Sequence, residues 1–230
     1  DIYNSSRIGK RNVVLTLIFY GEGGSDIESV RQKSYKLFPT KKLVNLKVET
    51  DNHILWTRGY VEHNEPDIFS DECKTQVSII CPDPKMYDME NVQNTDLIVG
   101  SNSVEYVGDV EVGTVITIRV GATITKRVSD GIPAFTISCV NGDSAKSIDI
   151  YTPDSGFNIG DVITICSIIG KKEVLWTDAE TEVKHNGLNI INQDPDWITL
   201  KNGINSILVV DPDSAIDTIG MTNSICYEGV

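Results

Sequence analysis

Long hydrophobic runs are missing from this sequence. A membrane-spanning helix needs about 20 consecutive apolar residues, and the best stretch here, Val13 to Tyr20, is short and contains Thr16. Arg7, Lys10 and Arg11 precede it as basic residues precede a signal peptide's core. No small-residue cleavage site follows, however; Gly21-Glu22-Gly23-Gly24 does. Cysteine is sparse and odd in number, at positions 73, 81, 139, 166 and 226, and no Cys-x-x-Cys pair occurs. Cys81, Cys139 and Cys166 sit among Ile, Val and Phe, where a thiol acts as a small apolar side chain. A reducing, cytosolic folding environment is the expectation.

Catalytic motifs are missing too. Gly21-Glu22-Gly23-Gly24-Ser25 fits neither G-x-G-x-x-G nor G-x-x-x-x-G-K-[ST], and Glu22, Asp26 and Glu28 put negative charge where a phosphate would sit. It reads as a plain β–α turn. His63, Glu65 and Asp67 alternate as three metal ligands on one strand face would. Pro66 interrupts them, no fourth ligand has suitable spacing, and a solvated loop is the simpler reading. Asp211, Asp213 and Asp217 outline a calcium loop, yet Ile216 stands at its glycine and Thr222 at its bidentate glutamate. No G-x-S-x-G elbow occurs, and nothing singles out an acid pair among 33 carboxylates. No catalytic, metal or cofactor residue is expected. Trp56, Trp176 and Trp197 would suit a sugar groove, but Trp56 and Trp176 share a Leu-Trp-Thr strand context that points to core packing.

What is present is an ordinary globular composition, 40% hydrophobic and 23% charged, over 230 residues. That length suits one large or two small domains. Twenty basic against 33 acidic residues give a net charge of −13. Residues 1–60 carry ten Lys and Arg against six Asp and Glu, a net +4; residues 61–230 carry ten against twenty-seven, a net −17. The acidic bulk disfavours nucleic-acid binding, and the opposite signs suit head-to-tail packing of identical subunits.

Arg11 to Tyr20 reads as a strand buried on both faces. Ser25 and Glu28 form a capping box, Ile27, Val30, Ser34, Leu37 and Phe38 recur at helical spacing, and Pro39 ends the helix. Strands follow at 43–49, 53–62 and 77–81, closed by Cys81-Pro82-Asp83-Pro84, which cannot continue a ladder. The expected domain boundary lies there, giving domains 1–84 and 85–230. Val110 to Val120 alternates with a period of two. Asn141-Gly142, Asn186-Gly187 and Asn202-Gly203 are hairpin signals, and further strands are predicted at 146–151, 162–168, 173–176 and 204–210. The fold class is mainly β: a first domain with one helix, then an antiparallel sandwich or jelly roll.

Taken in order, several passages resemble the siphophage distal tail protein family. They are Arg11-Asn12 opening an apolar strand, the helix ending in Phe38-Pro39, Gly59-Tyr60-Val61, and Ile79-Ile80-Cys81-Pro82-Asp83-Pro84. Asn158-Ile159-Gly160-Asp161-Val162 and the late turn Leu200-Lys201-Asn202-Gly203-Ile204-Asn205 complete them. After Asp-Pro only Tyr87 retains the family's aromatic run. The family's opening segment is absent, so an upstream piece is expected before Asp1. The resemblance implies a non-enzymatic structural component of a phage tail tip or baseplate. Its belt-like first domain would form a hexameric ring, with a galectin-like sandwich outside it. Implied partners are the tail tube protein, the baseplate hub and the tape measure protein, without sequence-specific nucleic-acid binding or membrane insertion. The implied location is the virion tail tip, assembled in the host cytoplasm. Ring closure by two unlike patches would use the basic and acidic stretches, with acidic residues toward the lumen. The competing expectations are a carbohydrate-binding module of a cell-wall or secreted protein, and a β-sandwich hydrolase using an acidic pair.

Overall fold

A computed structural model of the chain describes residues 9–18, 27–64, 74–125, 131–142 and 144–228. The chain divides into two compact units, 1–89 with 228–230, and 90–227.

The first unit contains β1 (Arg11–Ile18), α1 (Ile27–Leu37), β2 (Leu43–Glu49), β3 (Ile54–Asn64), β4 (Lys74–Cys81) and the start of β5 (Met86–Leu97). β3 is the organising strand. β2 lies along one of its edges, with Leu43 opposite Tyr60 and Glu49 opposite Ile54. Along the other edge β4 pairs from Tyr60 to Asn64, and β5 resumes the pairing at Trp56 and Leu55. Pro82-Asp83-Pro84 thus interrupts a ladder that restarts on the same strand, and Asp83 secures the restart by accepting hydrogen bonds from the Lys85 amide (3.1 Å) and the Tyr87 hydroxyl (2.6 Å). β1 adds to the far edge of β4.

The predicted helix forms. Its last turn is held by Asn64, whose buried amide donates to the Ser34 and Phe38 carbonyls, both at 3.1 Å. The Ser34 carbonyl also accepts the Phe38 amide (2.8 Å), while the Phe38 carbonyl lies past the helix's last such bond. The core of the unit is Val61, Val77, Ile79 and Cys81, with Val13, Leu15, Leu17, Phe38, Val44 and Leu46 packed against it. Gly59 sits where strands close up: a Cβ there would meet Ile79 Cγ2 and the Ile80 carbonyl oxygen at 2.7 Å.

The described part of the predicted strand, Arg11 to Ile18, differs from the prediction, and Phe19 and Tyr20 lie outside the described residues. β1 alternates between half-buried and exposed residues and is not buried on both faces. It is an edge strand with one covered face, so its even-numbered side chains, apolar or not, point to solvent.

The second unit takes in the remainder of β5, then β6 (Gly100–Tyr106), β7 (Val112–Gly113), β8 (Val115–Val120), β9 (Phe135–Asn141), β10 (Ser144–Ile150), β11 (Val162–Cys166), β12 (Glu173–Thr177) and β13 (Lys184–Asn186). β14 (Thr199–Leu200), β15 (Gly203–Val210) and β16 (Ile216–Tyr227) close it. One sheet runs β5-β16-β8-β11-β12-β13 and the other β10-β9-β15-β6. Their buried faces carry Ile116, Ile118, Ile163 and Ile165 on one side and Phe135, Ile137, Ile148 and Ile207 on the other, the alternation expected of a sandwich. The strands predicted at 146–151, 162–168, 173–176 and 204–210 are all present.

The predicted strand Val110 to Val120 is split at Thr114. The buried Thr114 hydroxyl donates to the Ile198 carbonyl, and its own carbonyl receives the Ser167 amide at 2.8 Å. Gly113 lies so close to Ser167 that a Cβ would stand 2.4 Å from its carbonyl oxygen. Of the three Asn-Gly pairs, only Asn141-Gly142 makes a hairpin, joining β9 to β10 with Gly142 at φ +60°. Asn186-Gly187 leads into a short 3₁₀ turn with Gly187 at φ −91°, because the chain turns over Val174, whose carbonyl accepts the Gly187 amide. Asn202-Gly203 is a turn between strands that pair elsewhere, β14 with β7 and β15 with β6 and β9.

Candidate functional site

Among the described residues no group of three His, Cys, Asp or Glu side chains is placed to hold a metal. His63 lies at a register shift between β3 and β4. Glu65 and Asp67, like the Gly21–Ser25 turn, fall outside the described residues. Asp211 closes a turn by accepting the Ile216 amide at 2.8 Å. The described thiols, Cys81, Cys139, Cys166 and Cys226, are all buried and unbridged. Burial pushes the Cys81 and Cys139 thiols above their ordinary values, the opposite of what a nucleophile needs.

The motifs that seemed family-like are structural devices. Asp161 is fully buried, and its carboxylate accepts from the Asn158 amide (2.9 Å), the Ala179 amide (2.9 Å) and Trp176 Nε1 (3.1 Å). It ties the loop before β11 to the end of β12. Asn205, also fully buried, plays the same part for the late turn. Its amide donates to the Lys201 and Gly203 carbonyls (2.9 and 3.0 Å), and its oxygen accepts the Lys201 amide (3.0 Å). Asn202 meanwhile donates to the Gly108 carbonyl at 3.0 Å. The spacing from Lys201 to Asn205 is what lets one side chain clamp the whole turn.

What stands out as a functional surface is the outer face of the first unit's sheet. The register places Asn12, Ile80, Tyr60 and Leu43 in one row across β1, β4, β3 and β2. Further along the same face of β1 come Val14, opposite Ser78, and Ile18, opposite Lys74. Tyr60, Leu43, Val14 and Ile18 are 49%, 50%, 54% and 49% exposed, on a face where alternation would favour polar side chains. Polar residues order the patch without filling it: the Ser78 hydroxyl donates to Asn12 Oδ1 at 2.9 Å and also reaches Glu62 at 3.3 Å. On the same side of the sheet Trp56 stacks on Tyr87 with centroids 5.1 Å apart, next to the exposed Met89 and above a depression of about 310 Å³. The same face also carries the exposed Asn45, Lys47, Arg58, Lys74 and Gln76, so its apolar and aromatic side chains stand among polar and charged ones.

Recounted by structural unit, the charge asymmetry changes. Residues 61–89 bring the acidic Glu62 to Asp88 into the first unit. With residues 228–230 that unit holds twelve Lys and Arg against fourteen Asp and Glu, or −2, while residues 90–227 hold eight against nineteen, or −11. The expected pairing of a basic with an acidic unit loses its basis, since the +4 came from stopping the count at residue 60.

The structure matches that of the Dit protein of phage SPP1, described as a paradigm of the hub adsorption apparatus in phages that infect Gram-positive bacteria. The TM-score is 0.68, over 96% of this chain and 80% of the other, at 14% sequence identity. The fold is that of SPP1 Dit. Two matches to the baseplate of phage p2 in its activated conformation are looser. One, with strontium, has a TM-score of 0.42 at 9% identity over 93% of this chain and 78% of the other; the second, with calcium, 0.41 at 7% over 98% and 90%. Neither a protein-family model nor a curated protein sequence matches the chain. The β-rich fold expected from the sequence, one helix followed by an antiparallel sandwich, is the one observed.

Proposed function

We propose that this chain is a distal tail protein, a structural component of a phage tail tip or baseplate in which six copies close a ring joining the tail tube to the hub and receptor-binding apparatus. The observation that carries the proposal is the fold shared with SPP1 Dit over 96% of the chain. The first unit is the ring-forming belt and the second the outlying sandwich, with the polypeptide passing between them beyond Pro82-Asp83-Pro84. The tape measure protein would thread the ring during assembly in the host cytoplasm. The role is architectural and calls for no catalysis.

A closed ring needs two unlike patches per subunit, and we propose that the outer face of the first unit, with Val14, Ile18, Leu43 and Tyr60 exposed, supplies one. Because that face exposes four large apolar side chains and its unit is nearly neutral, the proposed subunit contacts are hydrophobic more than ionic. Light scattering on a sizing column, with negative-stain imaging of the peak, tests the reading. A ring of about six subunits that persists at about 1 M salt, where ionic contacts are screened, is the expected result. A monomer at all concentrations, or a ring that dissolves on adding salt, contradicts it.

A further inference from the structure

Trp197, which the sequence placed among three tryptophans able to line a sugar groove, lies with charged and hydroxyl-bearing neighbours in a cleft of the second unit. The cleft measures about 360 Å³ and opens where residues flanking β7, β11 and β12 meet β10 and β14. That volume falls within the roughly 300–1,000 Å³ typical of small-molecule sites. Trp197 is half-buried, and Lys172 Nζ lies over one face of its ring, 5.4 Å from the centroid. On the far wall Glu111 accepts from Lys146 Nζ at 2.8 Å, and the Thr199 hydroxyl is hydrogen-bonded to both. Ser167 lies at the floor, fully buried, its hydroxyl without a hydrogen-bond partner. Asp196 completes the rim.

The chemistry of this lining is selective. Glu111 and Asp196 offset Lys146 and Lys172, so the cleft has no excess charge to hold an ion. The −11 of the unit around it repels phosphate and other anions over distance. Burial raises the Glu111 carboxyl, but the hydrogen bonds from Lys146 and Thr199 outweigh it and hold the group below the usual carboxylate range. At neutral pH Glu111 therefore only accepts, whereas Lys146 and Lys172 only donate. A ligand that satisfies both must carry hydroxyls that donate and accept, with an apolar face to lie on an indole.

We propose that this cleft binds one pyranose ring of a neutral glycan, with the ring's C–H face against Trp197 and its hydroxyls shared between the Glu111–Lys146–Thr199 cluster and Lys172. The proposal stands apart from the ring-forming role, since it needs only the sandwich.

The test is calorimetric titration of the full chain with neutral trisaccharides ending in glucose, galactose or N-acetylglucosamine, alongside an oligomer of glycerol phosphate. Saturable binding of at least one neutral sugar is expected. Trp197→Ala should weaken it by about tenfold or more, the scale of a lost aromatic contact. Because Trp197 is half-buried, Lys172→Ala and Glu111→Gln provide the control at exposed positions. Both should lower affinity severalfold while leaving the thermal unfolding midpoint of the sugar-free protein within a few degrees. Absence of binding by every neutral sugar, binding of glycerol phosphate alone, or sugar binding untouched by all three substitutions would each overturn the proposal. A monomeric protein that still binds sugar would refute the ring and leave the cleft standing.

Discussion

Asp161 carries more of the second unit's local order than any surface charge does. Removing its carboxylate takes the acceptor from two backbone amides and the Trp176 indole at part-buried positions, and each lost hydrogen bond to a charged group costs about 1.5–3 kcal/mol. Asp161→Ala is therefore expected to destabilise the unit by about 3 kcal/mol or more, read as a lower midpoint in urea. An unchanged midpoint would show that the three bonds are not maintained in solution. Tyr106 gives a pH-dependent counterpart. Its hydroxyl donates to the Val110 carbonyl and accepts the Cys226 amide, both at 3.0 Å, beneath Gly108, where a Cβ would collide with the phenol. Burial, partly offset by the Cys226 amide, raises the phenol well above its ordinary value. A raised acid is held neutral by the fold. Its contribution is complete below the unfolded value of about 10 and is lost as pH rises beyond it. In an alkaline titration one of the eight tyrosines should ionise only with the loss of near-ultraviolet circular dichroism. If all of them ionise while that signal persists, the Tyr106 pocket is wetter than described.

Edge strand β1 leaves Val14 and Ile18 exposed on the outer face of the first unit. Lysine is a common natural residue on exposed edges because it discourages pairing. The double substitution Val14→Lys with Ile18→Lys falls on exposed positions, so each change should move monomer stability by no more than about 0.5 kcal/mol. The same pair should shift the sizing-column peak from ring to monomer. A ring that survives both substitutions would place the subunit contact elsewhere. This strand also shows what a sequence reveals and what it hides. Apolar residues at both even and odd positions of Arg11 to Ile18 read as burial on two faces, because the pattern does not show that the fold covers only one of them. α1 was legible because its 3.6-residue spacing and Phe38-Pro39 stop depend only on local chemistry. β5, β6 and β16 carried no prediction. β5 is largely exposed along its middle, with Glu90, Asn91, Gln93 and Asn94 among its residues, and it is held by partners more than 120 positions away. Such pairing leaves no local trace. The Trp197 cleft was half legible: the tryptophan was noticed, but Glu111, Lys146 and Lys172 are brought to it from separate strands and loops.

At the scale of the molecule, the two units divide the apolar residues between separate cores, and nearly all the excess negative charge falls on one of them. A fragment of residues 90–227 contains the full strand complement of both sandwich sheets, including the part of β5 that pairs with β16. It should fold alone, with one cooperative urea transition and preserved Trp176 emission. A broad, probe-dependent transition would show that the sandwich needs the first unit to form. The chain leaves the first unit at Met89, completes the sandwich and comes back at Glu228. The outgoing β5 and returning β16 are neighbours, bridged by the Thr222 hydroxyl to Asn94 (2.9 Å) and the Asn223 amide to Gln93 (3.3 Å). The sandwich is therefore a cassette with adjoining ends. Over evolutionary time it can be exchanged, enlarged or cut back to a short turn through two nearby splice points while the first unit keeps its own strand order.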